Sequence, residues 1–136
     1  MADITWGTLT SESSSGLSNL QAGAAVAEGD VIYKNSAGKY VPGQADGTSP
    51  EEAVSALALT AASGDGKYFA ALTAAGKVGT TGTPFTQGVS YYLSPNAGKV
   101  CPLGDLSTGE DIVLVGIAST TAILDLLFII TGISAP

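Results

Sequence analysis

Few side chains in this sequence are equipped for chemistry. The 136 residues include no histidine, one cysteine and twelve carboxylates. Acid–base catalysis near neutral pH draws on histidine or on a carboxyl group whose surroundings raise its pKa. Two acidic pairs stand out, Glu51-Glu52 and Glu110-Asp111, each closing a polar loop. Oxygen-rich loops suit hard cations such as Ca²⁺, but neither loop has EF-hand spacing, so solvated loop charge is the plainer reading. Cys101, in "GKVCPLG", has no base beside it and reads as a small buried filler. The serines have no histidine and no clear lysine to activate them. "GDGK" at 64–67 lacks the glycine spacing and the Lys-Ser/Thr ending of a phosphate-binding loop. A tetrahedral zinc site is short of ligands. Asp125, inside "AILDLLFII", is the odd residue: a carboxylate buried alone on an apolar face is costly. It could pair with a lysine or with backbone donors, face solvent at a strand end, or lie at a subunit contact, and the last two are the preferred expectations. The expectation is therefore no enzyme, no cofactor and no metal centre.

The charge balance narrows the partners. The net charge is −7, with five lysines and no arginine. Phosphate backbones are bound by displacing counterions with basic side chains, and anionic lipid surfaces attract polybasic segments. Neither is present, so neither nucleic acid nor membrane is expected as a partner. Charged residues make up only 12% of the chain, against ~25% in ordinary globular proteins. Such a surface is either covered by Ser, Thr and Gly or buried against other chains. The N-terminal stretch lacks the basic and apolar regions of a signal peptide. The apolar stretch 112–133 has the length of a membrane span. It is broken by Gly116, by "STT" at 119–121 and by Asp125, and reads better as two buried strands turning at "STT".

The elements that would position these residues read as β-strands. Gly and Pro punctuate the chain every eight to twelve positions, the spacing of an all-β sandwich or barrel. Strands are expected at 29–34, 40–42, 53–60, 67–73, 76–80, 89–94, 100–102, 112–119 and 122–132. A short helix over 49–62, capped by Ser49 with Glu52, is the one helical alternative. Residues 1–21 are Ser- and Thr-rich without a period, but they hold the only Trp. An isolated Trp gains little in a free tail, so this segment reads as an extended arm. It would order against a partner or sister subunit through Trp6, Leu9, Leu17 and Leu20. Residues 22–136 then form the single β-domain.

One pattern recurs. "VIYKNSAGKYVP" at 31–42 and "SYYLSPNAGKVCP" at 90–102 are nearly the same hairpin. Gly29 falls on Gly88 and Tyr33 on Tyr92; one extra turn residue then brings Gly38-Lys39 onto Gly98-Lys99 and Pro42 onto Pro102. Downstream, 53–62 lies on 112–121. The repeat units, about 29–62 and 88–121, each carry an apolar face that one unit cannot cover alone. The expected fold is a jelly-roll-like β-sandwich or barrel with an internal pseudo-twofold repeat.

The phrases "AAVAEGDVIYKNSAGKYVPGQAD", "LTAAGKVGTTGTPFTQGVSYYLSPNAGKV" and "DIVLVGIASTTAILDLL" resemble the head decoration, or cement, proteins of tailed bacteriophages. The likeness spans about residues 20–130 and rests on Gly-punctuated strands and "G…YYLSP…GK", not on a catalytic signature. It implies a structural virion protein on the outer surface of the capsid. Its partners would be the major capsid protein and further copies of itself, as a homodimer or homotrimer. The alternative is a phage tail or fibre module that binds a receptor or glycan, for which Tyr33, Tyr40, Tyr68, Tyr91 and Tyr92 would be available.

Overall fold

The computed structural model describes residues 3–13, 16–45, 53–74 and 76–136. Among them lie β1 (Leu9–Ser11), β2 (Leu17–Gln21), β3 (Val31–Lys34), β4 (Tyr40–Pro42), β5 (Ala56–Ala58), β6 (Tyr68–Thr73), β7 (Lys77–Thr80), β8 (Ser90–Leu93), β9 (Val100–Pro102), β10 (Asp111–Thr120) and β11 (Ile123–Ser134). A 3-10 turn at Leu103–Asp105 is the only other regular element among the described residues. The strands form two antiparallel sheets, ordered β1-β7-β11-β10-β8-β9 and β2-β6-β5-β3-β4. The described residues are thus all-β, as the punctuation of the sequence predicts.

Where a helix was the alternative, a strand stands. Leu57 points into one core cluster and its neighbours Ala56 and Ala58 into another. That alternation has period two, which a strand satisfies and a helix does not. The expected cap residues Ser49 and Glu52, and the Glu51-Glu52 pair, lie outside the described residues.

Two hydrophobic clusters hold the fold. The larger lies between the sheets and joins Val31, Leu57 and Leu72 of one to Val78, Leu93, Val113, Val115, Leu124 and Leu126 of the other. The smaller lies on the far side of the five-stranded sheet: Ile32, Ala56, Ala58, Phe69 and Ala71, covered by Ala22, Val26 and Ala62. Lone bridges, Ala22 to Tyr40 and Val26 to Ala62, tie the covering segment down. Alanines on this face leave room for a chain segment to lie close against the sheet. Part of the alanine content of the sequence is spent here.

The expected free arm needs correcting. Leu9 pairs with Thr80 through β1, and Leu17–Gln21 pairs with Leu72–Tyr68 through β2. Residues 3–13 and 16–21 therefore supply an edge strand to each sheet and belong to the folded body. The physical reason is burial: Leu9 is 9% exposed within the inter-sheet core, and Trp6 packs against the same cluster.

Strand pairing runs in parallel through the two halves. β2–β6 pair in the order β2-β6-β5-β3-β4, and β7–β11 in the order β7-β11-β10-β8-β9. The hairpin registers also correspond: Tyr33 stands opposite Val41, and Tyr92 opposite Cys101. The faces do not correspond. Val31 is in the inter-sheet core and Tyr33 packs against it, whereas in β8 the core takes Tyr91 and Leu93. Side chains alternate along a strand, so the matching letters Tyr33 and Tyr92 sit on opposite faces of their sheets.

Candidate interaction surface

The residue types flagged for chemistry do not converge. Among the described residues, no group of three or more His, Cys, Asp or Glu is placed to share a metal ion. Glu110 folds back on its own loop, where its Oε1 accepts the Ser107 N–H. Cys101 is fully buried; burial, then the nearby Asp3 and Asp105 carboxylates, push its thiol up to about 12. It therefore stays protonated at neutral pH and packs as an apolar filler. Asp125 stands opposite Lys77 in the β7–β11 ladder and opposite Ile117 in the β10–β11 ladder. Lys77 Nζ is 4.0 Å from Asp125 Oδ2, and Asp125 Oδ1 is buried without a hydrogen-bond partner.

The four arm residues separate into two places. Trp6 stacks edge-on against Phe85, with centroids 5.5 Å apart, and Phe85 in turn meets Tyr91 at 5.1 Å. The indole lies directly over Gly29, where an added Cβ would overlap it, and its Nε1 finds no hydrogen-bond partner. Leu9 is core. Leu20 packs on the smaller cluster, while Leu17 stays 56% exposed on the edge strand β2. The five tyrosines form no common platform: Tyr91 is buried with its hydroxyl accepting the Thr86 N–H, and Tyr68, on β6, is the one largely exposed. An open groove of about 520 Å³ beside Tyr91 is walled by Ile4, Pro84, Val89 and Pro102 among others.

The surface that stands out is one that sequence reasoning assigned to the core. β10 and β11 are ten and twelve residues long, but their neighbours are short. β7 pairs with β11 only at Ile123, Leu124 and Asp125, and Gly76 O accepts one further bond from Leu126 N. From Leu127 onward, β11 has a strand on one side only, with Ile129 opposite Leu114, Ile130 opposite Val113 and Ser134 opposite Asp111. Among the described residues, no strand pairs with its other edge there. This projecting ribbon exposes Leu127, Ile129, Ile130 and Ile133, the last at 61%. Exposed apolar side chains gathered along one strand make this segment the candidate contact surface.

Sequence and backbone shape the ribbon. Phe128 has φ 51°, the only described non-glycine residue in the left-handed region, and Gly132 has φ 72°. Such turns of the backbone inside a strand bulge it and increase its twist. Phe128 keeps its ring against the inter-sheet core, so the bulge lies where the strand leaves the body. After Asp111 the sequence holds a single charge, Asp125, and β11 beyond it is uncharged. The signal was visible as an apolar run; its exposure depends on where β7 stops.

No protein-family model matches the chain, and a search of curated proteins finds no significant match.

Proposed function

We propose that this chain is a structural virion protein that sits on the outer surface of a bacteriophage capsid and holds neighbouring major capsid protein subunits together. The observation that carries the reading is the uncharged, apolar ribbon projecting from a body of net charge −7. That arrangement suits adhesion to protein and is poor for binding phosphate or catalysing a reaction. Its support from sequence is the resemblance of residues 20–130 to capsid decoration proteins. We read the two five-strand units as one β-unit used twice, related by a pseudo-twofold. The label jelly-roll-like is kept only for two packed antiparallel sheets, because each half of the chain stays largely within its own sheet.

The mechanism is mechanical. A rigid two-sheet body brings small contacts to several lattice subunits at once. Each contact is modest, but linked contacts act at high effective concentration, so occupancy far exceeds what one site would give. Since β1 and β2 are used within the body, Leu17 is the residue of the expected arm left free to touch a neighbour.

The test mixes purified protein with filled heads, with tails and with a glycan array. Saturable co-sedimentation with heads, in fixed ratio to coat subunits, is the expected result. Binding to tails or glycans instead would favour the receptor-binding module, and binding to none of the three would overturn the proposal.

A further inference from the structure

We infer that residues 3–8 form a strap that opens as a unit about Leu9 while both sheets stay folded, and that Asp3 is the lock that holds it shut. The inference concerns the free chain, so it stands or falls separately from the capsid reading.

Residues 3–8 carry the chain from one edge of the six-stranded sheet to the other. β9 is the last strand of that sheet, and Ile4 N donates to Val100 O on it at 2.7 Å. β1 is the first strand, and the strap runs into it at Leu9. Two open grooves, of about 520 and 430 Å³, lie along the strap, and Asp3, Ile4 and Thr5 wall both of them. The strap is therefore the partition between the grooves. Opening joins them into one trench and frees the Val100 carbonyl.

The strap is attached at its two ends and not by a continuous ladder. Asp3 Oδ1 accepts from Ser94 Oγ at 2.6 Å, and Asp3 Oδ2 accepts from Asn96 Nδ2 at 2.8 Å. Hydrogen bonds accepted by a carboxylate are the stronger kind. At the other end the Gly7 and Thr8 amides donate to the hydroxyls of Thr80 and Thr81, each at 2.8 Å, and Thr81 N donates to Thr8 O beside the hinge. Ile4 and Trp6 pack at the margin of the inter-sheet core, whereas Leu9 is buried within it. With the strap open, β9 keeps β8 and β7 keeps β11 and β1. A segment with few buried contacts opens at lower free energy than the body it covers.

Closure also carries a cost. Trp6 Nε1 is buried without a hydrogen-bond partner, and a buried donor left unsatisfied forfeits the water it would bind when exposed. Opening hydrates it. The strap is thus a two-state element held shut by Asp3 and biased open by the indole it buries. Closed, it occupies Ser94, Asn96 and the Val100 carbonyl with groups of the same chain; open, it leaves all three free.

The sequence holds one Trp, so tryptophan fluorescence reports the strap and far-UV circular dichroism reports the sheets. In a urea titration of the unaltered protein, the fluorescence transition should precede the dichroism transition. Asp3→Ala should raise the opening equilibrium constant roughly ten-fold. It should lower the fluorescence midpoint and increase acrylamide quenching of Trp6, while the dichroism midpoint stays in place. Any loss special to Gly29→Ala, which crowds the indole, should appear in the fluorescence step. Gly88→Ala carries the same left-handed backbone penalty with no neighbour to displace, and should leave that step unchanged. Hydrogen exchange of the unaltered protein gives a reading that needs no variant. The amides of Ile4, Gly7 and Thr8 should share one protection factor, lower than that of the β10 amides and nearly indifferent to low urea. Coincident fluorescence and dichroism transitions, Asp3→Ala shifting both midpoints together, or an Ile4 amide that exchanges only as β10 does would each overturn the inference.

Discussion

The unit β2–β6 and the unit β7–β11 solve the same pairing problem and use the result differently. Each has a hairpin ending in proline, flanked by two more strands and closed by its own first strand. Yet β5 has three residues where β10 has ten, and β6 has six where β11 has twelve. The first unit has its outer face roofed by Ala22, Val26 and Ala62. The outer face of the second keeps Ile117 and Leu127 partly in solvent. Even matching positions invert: Asp30 is 6% exposed, while its counterpart Val89 is 38% exposed. Turn chemistry sets which strands pair, because glycines at positive φ and terminal prolines act locally. What covers each face depends on residues far away in sequence. One unit has its outer face covered within the chain, and the other leaves apolar side chains on its outer face partly exposed.

The matched glycines break this comparison most sharply. Gly29 and Gly88 have φ 90° and 84°, so any side chain at either pays the left-handed penalty, about 1–2 kcal/mol. At Gly88 nothing lies within 4 Å of an added Cβ, whereas at Gly29 the Cβ would overlap the Trp6 indole. Gly29→Ala must therefore also displace Trp6 from Phe85, an overpacking cost of roughly 1–3 kcal/mol. Thermal or denaturant unfolding should show Gly29→Ala losing about twice as much stability as Gly88→Ala. Equal losses would mean that Trp6 does not pack there.

In the second matched pair the crowded member is in the other unit. Gly38 and Gly98 have φ 80° and 77°. A Cβ at Gly38 would meet only Lys34 Cε, at 3.9 Å, while one at Gly98 would press on the Asp30 carboxyl carbon at 2.7 Å. The Gly98 amide also donates to Gly43 O, and its carbonyl accepts from Val31 N, so this hairpin tip is clamped to the opposite sheet. Gly98→Ala should cost about 1 kcal/mol more than Gly38→Ala in the same unfolding measurement. The asymmetry should vanish in an Asp30→Ala background, where the obstructing carboxyl is gone.

These pairs also mark what could be read from the sequence. Residues Tyr40–Pro42 and Val100–Pro102 were legible as strands because a glycine turn precedes each and a proline ends each. β1 and β2 were not legible. They have three and five residues, mostly polar, and edge strands of that kind carry little alternation. Trp6 signalled that its segment docks somewhere, but its partners Gly29 and Phe85 come from distant parts of the chain. Tyr33 pairs with Val41 and Tyr92 with Cys101, yet the two tyrosines sit on opposite faces of their sheets, so a shared letter does not fix a face. A period-two code cannot fix which face meets the core until both sheets are in place. The ribbon was legible as apolar strand and not as surface, because exposure of Ile129 and Ile133 follows from the length of β7.

The smallest expected effect concerns Asp30 itself, the polar residue where the other unit has Val89. Burial is the largest influence on its carboxyl and raises its pKa above the ordinary 3.8; the Ala27 N–H at 2.9 Å and the Lys99 charge pull the other way and do not fully offset it. A raised folded pKa means that the folded chain holds this proton more tightly than the unfolded chain does. The associated stability is present in full below pH 3.8 and is lost as pH rises through the folded value. At neutral pH, Asp30 is therefore a buried charge kept at a cost. Asn keeps an oxygen to accept from Ala27 N and cannot ionise. The stability of Asp30→Asn minus that of the unaltered protein should be most positive at neutral pH and should fall on acidification through the window just above 3.8. Any constant offset from the new amide cancels in that slope, and so do the shared responses of the other carboxylates. Val89→Asp, the same carboxylate at the exposed counterpart position, should give no such slope in that window. A flat difference for Asp30→Asn would show that the Ala27 bond and Lys99 fully compensate the burial, and that polarity at this corner of the two units is exchangeable after all.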